Sequence, residues 1–285
     1  MLQIGIRLHD VNSGLSGEFL TLEARAAKAR EEGFCCVHLA PQKVMKGMPY
    51  DPCAMTEGLA AYFKRVFSAN GLDIAVLGCY LNLAHPDENK LSEILERYYA
   101  NLRMASLCGA SMVGTETGCP NAEYKLDRNT HTDEALKIFM SNLEKVAAEA
   151  EKWGVTLAIE PVWNHIVYNP SRALEVIRGI GSRNLRIIFD PVNLLCMENA
   201  DDREAVFADA IDKLADHIAM VHIKDFVRRD GKLVSVAAGT GEMDYRSIIG
   251  FLKERKPYIQ VSLENTSNEN AVAARELIEQ VWAGS

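Results

Sequence analysis

Three things are missing from this chain of 285 residues. No uninterrupted apolar run is long enough to cross a bilayer, which takes about 20 residues. No block of lysine and arginine stands out and the formal net charge is −8, which argues against a nucleic-acid partner, for which a basic face is expected. No C-x-x-C pair occurs: the seven cysteines are odd in number and scattered from Cys35 to Cys196. That pattern suits free thiols in a reducing cytosol better than a disulfide framework. The start, Leu2-Gln-Ile-Gly-Ile6, reads as a strand and not as a signal peptide, so a cytoplasmic protein is expected. Linker-like composition shifts and low-complexity tracts are absent too, which predicts one domain over residues 1–285 with a large core.

What is present is a strict alternation. Short apolar runs rich in β-branched residues predict strands over Gln3–Leu8, Cys36–Ala40, Asp73–Leu83, Ser111–Thr115, Thr156–Glu160, Leu185–Asp190, Ile218–Lys224 and Tyr258–Glu264. Helical patterns separate them, several stopping at a glycine suited to a left-handed cap, as at Gly33, Gly71, Gly109 and Gly154. Eight strands alternating with eight helices predict an α/β fold, a (β/α)8 TIM barrel of parallel strands. An open doubly wound sheet alternates in the same way. The barrel is favoured because polar residues close four successive strands, and barrels place their active sites at the C-terminal strand ends.

Those four runs are Thr156–Glu160, Arg186–Asp190, Ile218–His222 and Ile259–Glu264, and their last residues stand 30, 32 and 42 positions apart. One strand-helix unit takes roughly 30 residues. Glu160, Asp190, His222 and Glu264 would therefore converge on one point, a donor set that suits a divalent metal. Strand parity allows each to point inward: Glu264 with Ser262 and Gln260, His222 with Met220 and Lys224, Asp190 with Ile188. Oxygen ligands plus one histidine favour Mn²⁺, with Mg²⁺, Co²⁺ and Zn²⁺ as alternatives.

The segments Ala158-Ile-Glu-Pro161, Phe189-Asp-Pro-Val-Asn193, Val221-His-Ile-Lys-Asp225 and Ser262-Leu-Glu264 resemble the xylose isomerase-like superfamily. The stretch Ala238-Gly-Thr-Gly-Glu-Met-Asp244 resembles it as well. That superfamily holds sugar and sugar-phosphate isomerases and epimerases. The resemblance implies that Glu160, Asp190, His222 and Glu264 are the metal ligands and that Glu160 and Glu264 also transfer protons. It also implies that Arg228, six residues after the ligand histidine, contacts substrate. Asn193 stands where the ketose epimerases carry a histidine, and an amide can hydrogen-bond a hydroxyl but cannot act as acid or base. The expected activity is a metal-dependent sugar isomerase or epimerase, working by proton abstraction next to a carbonyl through a metal-stabilised enediolate. The alternative is a lyase of the same enolate chemistry, resembling inosose dehydratase or cleaving 3-keto-glycosides. A small sugar or keto-sugar is the expected partner, and the resemblance allows a homo-oligomer.

Several residues beside the four are candidates for substrate binding. His165 lies on a strand-to-helix loop, Glu116 ends the fourth strand, and Lys224 can meet a negative or oxyanionic group. Asn82 can bond a hydroxyl or hold a turn, and Trp163 can stack on a sugar. Gly239-Thr-Gly241 can cradle a phosphate, since loops after the seventh strand often do. The Asp230-Gly231 pair is a hairpin signal within the long loop Asp225–Asp244 and predicts a small β-ribbon lid there.

Overall fold

The computed structural model describes residues 2–11 and 19–285. Eight parallel strands close into a barrel: β1 (Gln3–Arg7), β2 (Cys36–Leu39), β3 (Asp73–Gly78), β4 (Met112–Glu116), β5 (Thr156–Glu160), β6 (Leu185–Phe189), β7 (Ile218–Ile223) and, after a hairpin, β10 (Gln260–Leu263). Their order round the barrel is β1-β10-β7-β6-β5-β4-β3-β2, so each strand pairs with its neighbours in sequence and the last returns to the first. The hairpin is β8 (Asp225–Arg229) against β9 (Lys232–Val236). Its two turn residues, Asp230 and Gly231, have φ of 51° and 70°, the double left-handed geometry that matches strand twist and favours an Asp-Gly pair.

Helices cover the outside. They are α1 (Leu22–Glu31), the short α2 (Pro41–Val44), α3 (Glu57–Ala69), α4 (Glu88–Cys108), α5 (Asp133–Trp153), α6 (Pro170–Ile180), α7 (Arg203–Leu214), α8 (Arg246–Arg255) and α9 (Ala271–Gly284). Local chemistry sets their ends. The side chains of Thr21, Thr56, Asp87, Thr132 and Asn169 each accept a backbone N–H of the first turn, and Gly109, Gly154 and Gly181 close α4, α5 and α6 in the left-handed region. Among the described residues, no helix is long and apolar enough to cross a membrane.

The strands bury two faces with different jobs. Outward residues such as Ile159, Ile187, Val221 and Val261 join the large core under the helices. Inward residues, Cys36, Val76, Met112, Ala158, Ile188 and Met220, form a separate plug that fills the barrel below its C-terminal mouth. Ile188 and Met220 are thus inside, as strand parity predicts for the residues two before Asp190 and His222. The third strand is shorter than predicted and ends at Gly78. Beyond it Tyr98 captures the chain: its hydroxyl donates to the Leu81 carbonyl at 2.8 Å and accepts from the Leu81 N–H at 3.4 Å, so Leu81 cannot join the sheet.

The plug is tight enough to test. A Cβ on Gly114 would lie 2.7 Å from Val76 Cγ1 and 2.8 Å from Ile188 Cδ1, inside the barrel. We expect Gly114→Ala to destabilise the fold by about 1–3 kcal/mol through overpacking. Gly250 in α8 has open space round it, and Gly250→Ala should stabilise by about 0.5–1 kcal/mol through helix propensity. Thermal denaturation of both variants checks this, and equal midpoints would contradict the packing described.

Candidate metal centre

Glu160 ends β5, Asp190 follows β6, His222 lies within β7 and Glu264 follows β10, and all four are almost fully buried at the barrel mouth. His222 Nδ1 sits 3.3 Å from Glu160 Oε2 and 3.4 Å from Glu264 Oε1. Lys224 Nζ bridges the other pair, 2.7 Å from Asp190 Oδ2 and 3.3 Å from Glu264 Oε2. Asp190 turns its second oxygen to the chain, accepting from the N–H groups of Val192 at 3.0 Å and Asn193 at 3.1 Å. Asn193 in turn donates its side-chain amide to Glu160 Oε1 at 2.6 Å.

Burial and neighbouring charge set the protonation of this group. Burial alone lowers His222, but Glu264 and Glu160 outweigh it and raise the imidazole to about 9. Burial raises Asp190 to about 6 even with the Lys224 ammonium beside it. Burial also opposes ionisation of Glu264, yet His222, Lys224 and Arg7 hold that carboxyl well below its usual range. Lys224 is raised, because Asp190 and Glu264 overcome its burial.

These residues fit a divalent cation. Glu160, Asp190 and His222 offer ligand atoms that all lie within 4.8 Å of one another. Neither ring nitrogen of His222 has a directed hydrogen bond. Three carboxylates and a deprotonatable imidazole are the donors that hard and borderline divalent ions take.

A cavity of about 540 Å³ opens above the centre. Of the expected substrate contacts, Asn193, His165, Lys224 and Glu116 all line it. His165 is buried, with Nδ1 3.9 Å from Glu116 Oε2 and its ring edge-on to Tyr124, and burial lowers its pKa to about 4. Glu116 pairs in register with Glu160 and accepts from the Tyr124 hydroxyl at 3.4 Å. Burial, then the Glu160 charge, pushes Glu116 up to about 7.

Arg228 does not join them. It sits on β8 and is held outside the cavity lining by Asp201 at 2.5 Å and Glu242 at 3.6 Å. The amide of Asn82 is likewise spent on backbone: it donates to the carbonyls of Cys119 and Asn121 and accepts from the Ala84 N–H. Trp163 lines an outer groove with Met197 and Leu233. The loop Gly239-Thr-Gly241 is already filled by a carboxylate of the chain itself. Asp225 accepts there from the N–H groups of Gly239, Gly241, Phe226 and Met243 at 2.8–3.1 Å.

Arg7, His38 and Tyr80 also line the cavity and were not singled out from sequence. Arg7 ends β1 and reaches Glu264 Oε2 at 3.5 Å. His38 in β2 stacks on His222, with ring centroids 5.3 Å apart. Burial, then the charge on His222, lowers His38 well below the usual histidine value. The signal for His38 was a lone histidine at the inward parity of an otherwise apolar strand.

A family model described as xylose isomerase-like TIM barrel matches residues 26–281. The chain is 28% identical over 172 residues to a probable L-ribulose-5-phosphate 3-epimerase of Mycoplasma pneumoniae, an alignment covering 56% of this chain and 54% of that protein. The chain spans about half the length of the curated relatives it matches. A solved D-tagatose 3-epimerase-like protein superposes with a TM-score of 0.76 at 18% identity, over 99% of this chain and 97% of its own. The 3-keto-D-glucoside 4-epimerase of E. coli superposes with a TM-score of 0.74 at 15% identity, over 98% of this chain and 100% of its own. At these identities the two structures share the fold.

Glu116 gives the site a pH signature. Its ordinary value is 4.5 and its folded value about 7, so between them the folded protein keeps a proton that the unfolded chain has lost. Stability contributed by this group therefore falls as pH rises through that window. Glu116→Gln in metal-free protein is expected to remove about 1–3 kcal/mol of that fall between about pH 4.5 and pH 7.5. Urea denaturation at the two pH values measures it, and parallel curves for wild type and variant would rule the shift out.

Proposed function

The chain belongs to the xylose isomerase-like TIM barrel family, and on that footing we propose that it is a divalent-metal-dependent sugar isomerase or epimerase. The observation that carries this reading is the convergence of Glu160, Asp190, His222 and Glu264 from four strand ends beneath one cavity. A divalent cation held by those four residues supplies the Lewis acidity that makes a hydrogen next to a carbonyl removable.

The chain's own residues do the rest. Glu160 and Glu264 come from different strands and both line the cavity, so a sugar bound there would meet a carboxylate from two directions. Glu160 accepts from the Asn193 amide on Oε1, which fixes the carboxylate at the cavity wall where it would take a proton from carbon. Glu264 lies among Arg7, Lys224 and His222 and stays ionised until a proton is delivered to it. Returning the proton on the opposite face gives an epimer, and returning it to the next carbon gives an isomer. Lys224 and His165 border the cavity where a sugar oxygen would gain negative charge, and Lys224 is the cation placed to meet it. Mn²⁺ is the ion we favour, acting on a small sugar or keto-sugar in the cytoplasm.

A second reading has one observation in its favour. The amide of Asn193 is committed to Glu160, so the place where the ketose epimerases carry a histidine holds no acid. A keto-sugar with a leaving group next to the carbanion would then eliminate it, as a lyase does.

Proton exchange in D₂O tests both. Mn²⁺-loaded protein is mixed with ketoses, inososes and 3-keto-glycosides and followed by NMR. We expect deuterium at one carbon beside the carbonyl, no exchange after EDTA, and a loss of about 10²–10⁴-fold in Glu160→Gln. An epimer or isomer as product supports the first reading, and an eliminated fragment the second. Metal-loaded protein that exchanges no proton on any of these compounds would sink both.

A further inference from the structure

One buried imidazole at the centre is left without a task by the four-donor set. His38 is 1% exposed, and its Nδ1 is buried with no hydrogen-bond partner. That nitrogen faces Glu264 Oε1 at 3.9 Å, which is beyond hydrogen-bond reach. Buried polar atoms are nearly always satisfied, so an orphan aimed at a cluster of carboxylates calls for a partner. His38, His222 and Glu264 offer ligand atoms that all lie within 4.8 Å of one another. The two imidazoles are nearly parallel, tilted by 18°, so both present Nδ1 to the same carboxylate oxygen.

The surrounding chain is shaped to hold this ring. The pairing of β2 with β3 shifts register between Val37 and His38, which pair with Ile74 and Val76 and skip Ala75. Such irregularities re-aim side chains beside active sites. His38 Nε2 lies 3.1 Å from the Tyr80 hydroxyl. Gly78 makes room for the pair: a Cβ there would lie 2.9 Å from His38 Nε2 and 2.8 Å from Tyr80 Cε2.

We propose that His38 is a fifth protein donor of the metal centre, ligating the cation through Nδ1 while Nε2–H donates to the Tyr80 hydroxyl. The proposal rests on the metal-dependent reading above. Tyr80 selects the tautomer: an N–H on Nε2 leaves the Nδ1 lone pair free to face the centre. A second imidazole shifts the preference of the site from Mg²⁺ toward borderline ions such as Zn²⁺ and Co²⁺.

Metal affinity and pulsed EPR test it without reference to turnover. Zn²⁺ and Mg²⁺ affinities are measured by chelator competition for wild type, His38→Gln, Tyr80→Phe and Glu160→Gln, with circular dichroism to check folding. We expect His38→Gln to weaken Zn²⁺ at least about 10-fold and Mg²⁺ by less than about 3-fold, with Tyr80→Phe in between for Zn²⁺. Pulsed EPR of Mn²⁺-loaded wild type should show coupling to the nitrogens of two imidazoles. This readout stands even if His38→Gln fails to fold. A single coupled imidazole, or Zn²⁺ affinity that Glu160→Gln lowers and His38→Gln leaves intact, overturns the proposal alone. Wild type that binds no divalent cation overturns the metal-dependent reading and this proposal together.

Discussion

Three carboxylates converge where almost no water reaches, and the rest of the mouth is arranged round that fact. Glu160, Asp190 and Glu264 are at most 5% exposed. An uncompensated buried charge costs several kcal/mol, so three of them together demand positive charge close at hand. The chain supplies it by interleaving: His222 stands between Glu160 and Glu264, Lys224 between Asp190 and Glu264, and Arg7 joins Lys224 at Oε2 of Glu264. A divalent cation would enter this same balance. It would displace the proton that His222 carries, so its affinity is coupled to pH through that imidazole.

Holding such a group takes more than four strand ends. Register shifts interrupt the pairing between Val37 and His38 and between Ile187 and Ile188, the first at the cavity-lining His38 and the second two residues before Asp190. Each leaves one unpaired residue in the partner strand, Ala75 in β3 and Ala219 in β7, which bends that strand locally. Lys224 is braced by residues that follow it in the chain. Its carbonyl accepts from the Tyr245 hydroxyl, and the next residue, Asp225, gathers the N–H of Phe226 and three backbone N–H groups of the loop after the hairpin. The hairpin and that loop are thus tied to the strand carrying His222. The glycines of the loop serve an internal carboxylate, which leaves them no free N–H groups to offer a phosphate.

The barrel and the convergence of Glu160, Asp190, His222 and Glu264 were legible because parallel buried strands are apolar runs, and one polar residue closing such a run has few innocent explanations. The hairpin was legible for a similar reason, since Asp230 and Gly231 adopt a geometry that few other pairs tolerate. What escaped reading depends on partners distant in sequence. Arg228 stands at the offset that suggested a substrate contact, but Asp201 and Glu242 claim its guanidinium. The third strand stops early because Tyr98, from a helix, takes the backbone of Leu81. His38 was not singled out from sequence, and the skipped Ala75 and the stack on His222 reveal where it points.

The two glutamates are chemically alike and placed in unlike surroundings, and this asymmetry bears on what kind of catalyst the proposed reading describes. Glu264 is within 4 Å of Arg7, Lys224, His38 and His222, a ring of nitrogens that favours its charged form. Glu160 meets one amide and one imidazole, and its neighbour in register is Glu116, itself pushed up to about 7. Glu116 therefore keeps a proton to higher pH than an ordinary carboxyl, whereas one placed on Glu264 must compete with fixed cations. Paired acids whose environments pull their proton affinities apart are how a site divides the roles of donor and acceptor. The direction of that division follows from burial and the cations: Glu116 is the carboxyl that keeps a proton, and Glu264 holds fixed negative charge. Under the proposed reading, substrate orientation would decide which carbon faces Glu160, and His165, Asn193 and Lys224, which line the cavity, would set it.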